Sequence, residues 1–214
     1  MLRLENLLLH KSHIIWDWNG TLLNDGDLCA QITADIMVAH GLKPLTRDEH
    51  RKKFRMPVEA FYKDAGFNFS QVEFKRVAEQ FVVEYRARFD HCHLFPGTEA
   101  LLRKLQSHGK KQAILSASRE RELHDLVKKF RIGEYFDHVC GLVDFHAVSK
   151  LERGRELMTM WGVAKDSTIL VGDMDHDLDV GRALGIEVLL VDNGHQDLRH
   201  WLTDPGLAVH RRSE

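Results

Sequence analysis

The chain reads His13-Ile14-Ile15-Trp16-Asp17-Trp18-Asn19-Gly20-Thr21 near its N-terminus. The first four residues form a short apolar run without alternation, which is typical of a strand buried on both faces of a parallel sheet. The polar residues that follow would stand beyond the carboxyl end of this strand, where open α/β sheets bind their ligands. Asp17 is therefore a candidate site residue, Gly20 allows a tight turn, and Thr21 offers a hydroxyl.

Three more runs rich in Ile, Val and Leu span residues 112–115, 168–171 and 188–191, and a weaker one spans 138–140. Helical patterns separate these runs, among them one at 118–130 for which Ser118 is the predicted N-cap. Strands that alternate with helices predict an α/β fold, with a Rossmann-like three-layer core around a parallel sheet.

The interval between the first and second strands breaks this alternation, because it contains helical patterns and no strand-like run. We therefore predict an all-helical cap domain inserted into the core. The predicted boundaries give a discontinuous core of residues 1–22 and 92–214 and a cap of residues 23–91.

Composition narrows the classes of function. The 214 residues include 30 Lys and Arg against 32 Asp and Glu, a formal charge of −2, which argues against a general nucleic-acid binder. No apolar run approaches the length of a membrane helix, and the N-terminus lacks a secretory cleavage signature. The three cysteines are widely separated and predict no disulfide framework. We expect a protein of the reducing cytoplasm that binds neither membranes nor nucleic acid.

A second acidic feature follows the run at 168–171, where Asp173 and Asp177 occur in Gly172-Asp173-Met174-Asp175-His176-Asp177. If the two strands are neighbours, Asp173 lies beside Asp17, and paired carboxylates suit the hard cation Mg²⁺. Acidic residues at a helix N-terminus complement the helix dipole, which explains Asp177 in part but not Asp173 at a strand end. Ser116 ends another strand, and Lys150 precedes a helix.

These segments resemble, in order, the four motifs of the haloacid dehalogenase superfamily of Mg²⁺-dependent phosphohydrolases. The resemblance spans residues 14–191 and is nearest to the phosphoglycolate phosphatase and β-phosphoglucomutase-like subgroup, which has a helical cap of the C1 type. The segments that carry it are Asp17-Trp18-Asn19-Gly20-Thr21, Ser116, Lys150 and Gly172-Asp173 with Asp177.

The resemblance implies a two-step phosphoryl transfer on a small phosphorylated metabolite, with Asp17 as the nucleophile. It implies Mg²⁺ as cofactor, held by the Asp17 carboxylate, the Asn19 carbonyl and Asp173, and a monomer or homodimer. It further implies that Ser116 and the Ala117 N–H bind phosphoryl oxygens and that Gly20 and Thr21 contact the substrate. Lys150 would neutralise charge on Asp17 and the phosphoryl group, and Asp177 would orient the ligands.

One position departs from the family pattern, because Asn19 stands where family phosphatases generally carry an aspartate that acts as general acid and base. An amide cannot transfer this proton at neutral pH, so a slow phosphatase is one expectation. His195 is a candidate substitute, although a solvated loop histidine is the simpler interpretation. The alternatives are a phosphonatase-type C–P hydrolase that uses Lys52 or Lys53 as a Schiff base, and a non-catalytic member that binds a ligand or a protein.

Two further features of the sequence suggest additional hypotheses. Residues 43–55 contain six basic residues against two acidic ones, and within this stretch we expect Arg55 to contact the substrate. His91-Cys92-His93 has ligand types that suit zinc, but no third and fourth ligand stands nearby in the sequence, so a hinge loop is the preferred interpretation.

Overall fold

A computed structural model describes residues 2–142, 149–192, 194–200 and 208–211. Its main sheet has six parallel strands in the order β5-β4-β1-β6-β7-β8. The strands are β1 (His13–Trp16), β4 (Lys111–Arg119), β5 (His138–Leu142), β6 (Thr168–Gly172), β7 (Glu187–Asp192) and β8 (Ala208–Arg211), while the short strands β2 (Leu23–Asn24) and β3 (His93–Leu94) pair separately.

Helices cover both faces of this sheet, which confirms the predicted Rossmann-like architecture. The helices are α1 (Leu2–Leu8), α2 (Gly26–Ala39), α3 (Arg47–Lys53), α4 (Val58–Asp64), α5 (Phe74–Arg88), α6 (Thr98–Ser107), α7 (Glu120–Lys129), α8 (Lys150–Trp161) and α9 (Asp175–Leu184). None of the helices in the described ranges is long and apolar enough to cross a membrane.

Alternate residues of the buried strands pack into two different apolar layers. Ile14 and Trp16 of β1 join a cluster that includes leucines of α1 and α6, whereas Ile15 joins a cluster with residues of α8 and α9. Because successive side chains of a strand point to opposite faces, both faces of β1 are buried. This burial explains why the strand is apolar without alternation.

The register of β1 brings the ends of β1 and β6 to one edge of the sheet. Trp16 pairs with Ile114 of β4 on one side and with Val171 of β6 on the other. Parallel strands that are in register end at the same edge, so the residues that follow β1 and β6 are neighbours. The predicted proximity of Asp17 and Asp173 follows from this pairing.

Helices α2–α5, termed the cap helices below, lie between β2 and β3 in the chain. The chain leaves at β2 and returns at β3, and Leu23 pairs with Leu94 in this antiparallel ribbon. The cap helices have an apolar cluster of their own, which includes Ile32, Phe61 and Val77.

The helix α1 and the strands β2, β3 and β8 were not predicted, and the predicted start of α7 was wrong. The N-terminal leucine run forms α1, and β8 adds an edge strand to the sheet. Ser118 is not an N-cap, because β4 extends to Arg119 and α7 begins at Glu120. The Ser118 hydroxyl donates instead to Asn19 Oδ1 at 2.7 Å, a distant partner that local sequence does not reveal.

Candidate active site

Asp17 directly follows β1 and is buried, with 7% of its surface exposed. Its backbone N–H donates to the Val171 carbonyl at 2.8 Å and so continues the ladder between β1 and β6. The carboxylate therefore stands on a rigid strand end, as a nucleophile or metal ligand should.

Asp173 follows β6 on the same edge and is 1% exposed. Its Oδ1 accepts from the Thr21 hydroxyl at 3.2 Å, and its Oδ2 accepts from the His195 N–H at 2.6 Å. Gly20 leaves space for this carboxylate, since a Cβ there would lie 2.3 Å from Asp173 Oδ2. Gly20 also has a φ of +74°, which an L side chain rarely adopts.

Lys150 connects the nucleophile candidate to the start of α9. Ser149 caps α8 through a reciprocal bond pair with Glu152, and this fixes Lys150 as the first residue of the helix. Lys150 Nζ donates to Asp17 Oδ1 and, at 2.6 Å, to Asp177 Oδ1. Burial lowers the pKa of Lys150, but the two carboxylates raise it further, so the amine stays charged.

Asp177 is held from both sides. Its second oxygen, Oδ2, accepts from the backbone N–H groups of Asp173 and Met174 at 3.1 Å each. These donors belong to the turn between β6 and α9, and Asp177 therefore fixes both this turn and the Lys150 ammonium.

Ser116 does not end a strand as predicted, because β4 continues to Arg119, and it lies within β4 with 1% of its surface exposed. Its hydroxyl oxygen accepts from the Ser118 N–H at 3.0 Å, which sets the direction of the side chain. Ala117 is exposed, next to Ser116.

Three buried carboxylates at this edge form a group that could hold a metal ion. Burial, together with the nearby Asp177 and Asp173 charges, raises the pKa of Asp17 to about 7 against the opposing effect of Lys150. Burial raises the pKa of Asp173 to about 6, although His195 opposes the shift. Oxygens of Asp17, Asp173 and Asp177 lie within 4.8 Å of one another. A divalent cation would relieve this repulsion, and oxygen donors are those that Mg²⁺ prefers.

Asn19 lies at the rim of the same site, and its amide is held by protein groups. Its Nδ2 donates to Asp25 Oδ2 at 2.7 Å and to the Tyr85 hydroxyl at 3.2 Å. Its Oδ1 accepts from Ser118. Tyr85 belongs to α5, so the side chain of Asn19 contacts both the sheet edge and the cap helices.

His195 is not a solvated loop residue, because it is only 5% exposed and bonds to Asp25. Its Nε2 lies 3.1 Å from Asp25 Oδ1. Burial lowers the pKa of His195, but Asp25 and Asp173 outweigh this effect and raise it to about 9. Burial would raise the pKa of Asp25, yet His195, Asn19 and Tyr85 lower it, so Asp25 is ionised.

Asp25 and Tyr85 were missed in the sequence. Asp25 is separated from the nucleophile motif by Leu22-Leu23-Asn24 and precedes a helix, so its local pattern resembles an ordinary N-cap. Together with Cys29 and His195 it has the ligand types of a metal site. Four N–H and O–H donors already satisfy its oxygens, which favours a hydrogen-bonded centre.

Other predicted residues lie elsewhere. Arg55 is half-exposed and pairs with Asp64 of α4 at 2.7 Å. Lys52 pairs with the exposed Asp48, and Lys53 donates to the Asp64 carbonyl. Neither His91 nor His93 belongs to the two metal-compatible groups found among the described residues.

Residues 14–191 match the family described as haloacid dehalogenase-like hydrolase, and the chain belongs to this family. The fold and the order of the site residues agree with that assignment, and the protein is a hydrolase of this family.

Three similar proteins illustrate the relationship. The chain is 25% identical over 185 residues to pyrophosphatase PpaX of Halalkalibacterium halodurans, covering 83% of this chain and 82% of that protein. It is 22% identical over 191 residues to phosphoglycolate phosphatase of Pseudomonas putida, covering 85% and 70%. A haloacid dehalogenase-like hydrolase from Streptococcus pneumoniae superposes with a TM-score of 0.80 at 20% identity over 94% of each chain. For other curated relatives the matched region spans about half of their length.

Proposed function

We propose that this protein is a Mg²⁺-dependent phosphohydrolase that acts on small phosphorylated metabolites through an aspartyl phosphate at Asp17. The contact of Lys150 with both Asp17 and Asp177, beside Asp173, carries the proposal. At this edge of the sheet, the strand-end carboxylate of Asp17 lies beside the buried Lys150 ammonium and within a group of carboxylates that could hold a metal. Relatives named as pyrophosphatase and phosphoglycolate phosphatase support phosphoryl substrates.

The Asp17 carboxylate, the Asn19 carbonyl and Asp173 would hold the metal. When bound, Mg²⁺ supplies positive charge that reduces the repulsion between a carboxylate nucleophile and an anionic phosphoryl group.

The remaining steps belong to side chains of this chain. An oxygen of Asp17 attacks phosphorus, the bond to the leaving oxygen breaks, and water then attacks phosphorus to release phosphate and the free carboxylate. Lys150 orients Asp17 and offsets the charge of the phosphoryl group. The Ser116 hydroxyl and the Ala117 N–H donate to phosphoryl oxygens.

Asn19 makes the proposed enzyme slow, because its amide cannot protonate the leaving oxygen. General acid–base catalysis contributes roughly 10²–10⁴-fold, so substrates with poor leaving groups should suffer most. His195 is a buried imidazole that shares the Asp25 carboxylate with Asn19, which makes it the candidate to test as a substitute.

The alternatives have less support. A Schiff-base lysine must reach the reacting carbonyl, and Lys52 is paired with Asp48 while Lys53 contacts the backbone of Asp64. A non-catalytic member would keep the fold without turnover. We place the protein in the cytoplasm, in line with its three free cysteines, as a monomer or homodimer.

The decisive experiment is an assay of wild type and Asp17→Asn with Mg²⁺ on p-nitrophenyl phosphate, pyrophosphate, 2-phosphoglycolate and a phosphonate panel. We expect turnover that Asp17→Asn and EDTA each abolish, with p-nitrophenyl phosphate the fastest substrate. Rapid acid quench and mass spectrometry should find one phosphoryl group on the peptide that carries Asp17.

Asp125→Asn is the matched control, since Asp125 is an exposed carboxylate of α7. It should retain wild-type turnover. Absence of any Asp17-dependent turnover across the panel would favour the non-catalytic alternative, and turnover confined to phosphonates would favour the C–P hydrolase.

A further inference from the structure

Asp25 is a buried carboxylate without a role in the proposed phosphoryl transfer. Its side chain is 0% exposed, and it precedes α2 at the entry to the cap helices. A buried carboxylate is stable only when its oxygens are well satisfied. Its donors are Asn19 Nδ2 at 2.7 Å, the Tyr85 hydroxyl at 2.8 Å, the Gly20 N–H at 3.0 Å and His195 Nε2 at 3.1 Å.

Two of these bonds fix the peptide between Asn19 and Gly20. The Gly20 N–H donates to Asp25 Oδ1, and the Asn19 side chain donates to Asp25 Oδ2. In a trans peptide the N–H and the preceding carbonyl point in opposite directions. The Asn19 carbonyl therefore points away from Asp25, and this carbonyl is one of the three proposed metal ligands.

A second path leads from Asp25 to another proposed ligand. His195 contacts Asp25 with its ring and donates its backbone N–H to Asp173 Oδ2. Phe54 packs on the His195 ring at 5.5 Å between centroids, which limits movement of the imidazole. Asp25 thus orients the Asn19 carbonyl directly, and it supports Asp173 indirectly, through His195.

We propose that Asp25 is a positioning residue for the metal site and that it requires an amide at position 19. The inference rests on the proposed function for the identity of the metal ligands. A carboxylate at position 19 would stand where the Asn19 amide now donates, 2.7 Å from Asp25 Oδ2, and would repel it. Asn19 and Asp25 form a matched pair, with the amide on one residue and the charge on the other.

The test exchanges the pair. Asp25→Asn, Asn19→Asp and the double variant Asn19→Asp/Asp25→Asn are compared for Mg²⁺ dissociation constant by calorimetry, and for kcat and KM on p-nitrophenyl phosphate. Loss of a residue that orients metal ligands costs roughly 10–100-fold in affinity or activity, so each single variant should bind Mg²⁺ that much more weakly. The double variant should recover at least about tenfold in Mg²⁺ affinity over either single variant, because it restores one charge and one amide. Its kcat does not decide the point, since Asn19→Asp also introduces a general acid.

Asp35→Asn is the matched control, because Asp35 lies on α2, the helix that Asp25 precedes, and pairs with Arg88 at the surface. It should leave Mg²⁺ binding and kcat unchanged. Tyr85→Phe is a milder second variant that keeps Asp25 and removes one donor. It should weaken Mg²⁺ binding by roughly 2–10-fold and decides the matter if Asp25→Asn does not fold.

An unchanged Mg²⁺ dissociation constant in folded Asp25→Asn, or purely additive effects in the double variant, would overturn the positioning role. The two proposals fail separately. If wild type binds Mg²⁺ but shows no Asp17-dependent turnover, the proposed phosphohydrolase function fails. The positioning role of Asp25 is then still tested by the Mg²⁺ dissociation constants of the variants. If wild type binds no Mg²⁺, both proposals fail.

Discussion

Arg51 Nη2 donates to Asp192 Oδ1 at 2.5 Å, and this bond joins α3 of the cap helices to the end of β7. The same guanidinium donates to the Gln196 carbonyl at 3.1 Å. One turn earlier, Arg47 donates to the Gly194 carbonyl at 2.9 Å. Helix α3 therefore holds the chain around His195 that supplies a donor to Asp173. Basic residues of the 43–55 stretch contact the core, but they are Arg47 and Arg51 rather than Arg55.

Removal of the Arg51 contact should destabilise the protein. Arg51→Met leaves Asp192 and the Gln196 carbonyl without this donor in a mostly buried seam, which should reduce the free energy of unfolding by about 1–3 kcal/mol. Urea unfolding measures the change. Lys52→Met on the same helix breaks an exposed pair that solvent screens, so it should cost much less. Equal losses in the two variants would contradict the role of Arg51.

The close approach of Gly20 to Asp173 gives a second prediction. In Gly20→Ala the new Cβ would lie 2.3 Å from Asp173 Oδ2 and 2.6 Å from His195 Cδ2, in addition to the strain of a positive φ. Gly109→Ala has a similar φ of +71°, but no heavy atom of the described residues lies within 4 Å of its Cβ. Thermal unfolding should therefore show Gly20→Ala less stable than Gly109→Ala by about 1–3 kcal/mol. If the two variants have the same stability, the close packing of Gly20 against Asp173 and His195 is contradicted.

His50 predicts how stability depends on pH. It is 1% exposed in α3, and burial, with smaller effects of His195 and Arg47, lowers its pKa to about 3. The unfolded chain binds a proton at this imidazole below about pH 6.5, whereas the folded chain does not until about pH 3. The contribution of neutral His50 is complete above pH 6.5 and is lost as the pH falls through this window.

At pH 5 this loss should be about 2 kcal/mol relative to pH 7.5. His50→Phe, which can pack against Phe54 and Phe61, should lose less stability over the same interval when unfolding is measured in urea. His124→Gln alters an exposed histidine of α7 and should follow wild type. A pH slope in His50→Phe equal to that of wild type would disprove the assignment.

Mg²⁺ should stabilise the folded protein, because the proposed ligand set exists only when the strand ends are together. A metal at 100 times its dissociation constant adds about 2.7 kcal/mol to the free energy of unfolding, which a thermal shift assay detects as a higher Tm. EDTA should reverse the shift and Asp173→Asn should abolish it. Asp179→Asn, an exposed carboxylate of α9, should keep it. A Tm that does not respond to Mg²⁺ in wild type would contradict the proposed metal site.

Much of the site was predictable because its signals are local. A strand buried on both faces must be apolar throughout, and a strand end must change to polar residues, so Asp17 and Asp173 stand out in the sequence itself. Ser116 was singled out by the same reasoning, but it does not end its strand, because β4 continues to Arg119. Lys150 was noted as the residue at the start of a helix, and α8 begins there. The helical interval between β1 and β4 is equally easy to predict, because its sequence contains no strand-like apolar run.

The rest depended on contacts between distant parts of the chain. Asp25 is 170 residues from His195 and 60 from Tyr85, and nothing in its own neighbourhood distinguishes it from an exposed N-cap. Ser118 was misassigned for the same reason, because its partner Asn19 lies 99 residues away. The sequence by itself determined which side chains end the buried strands, through the solvation of apolar and polar groups. Only the tertiary structure decided that a charge at Asp25 is balanced by an amide at Asn19, because the free energy of a buried carboxylate depends on the donors that folding brings to it.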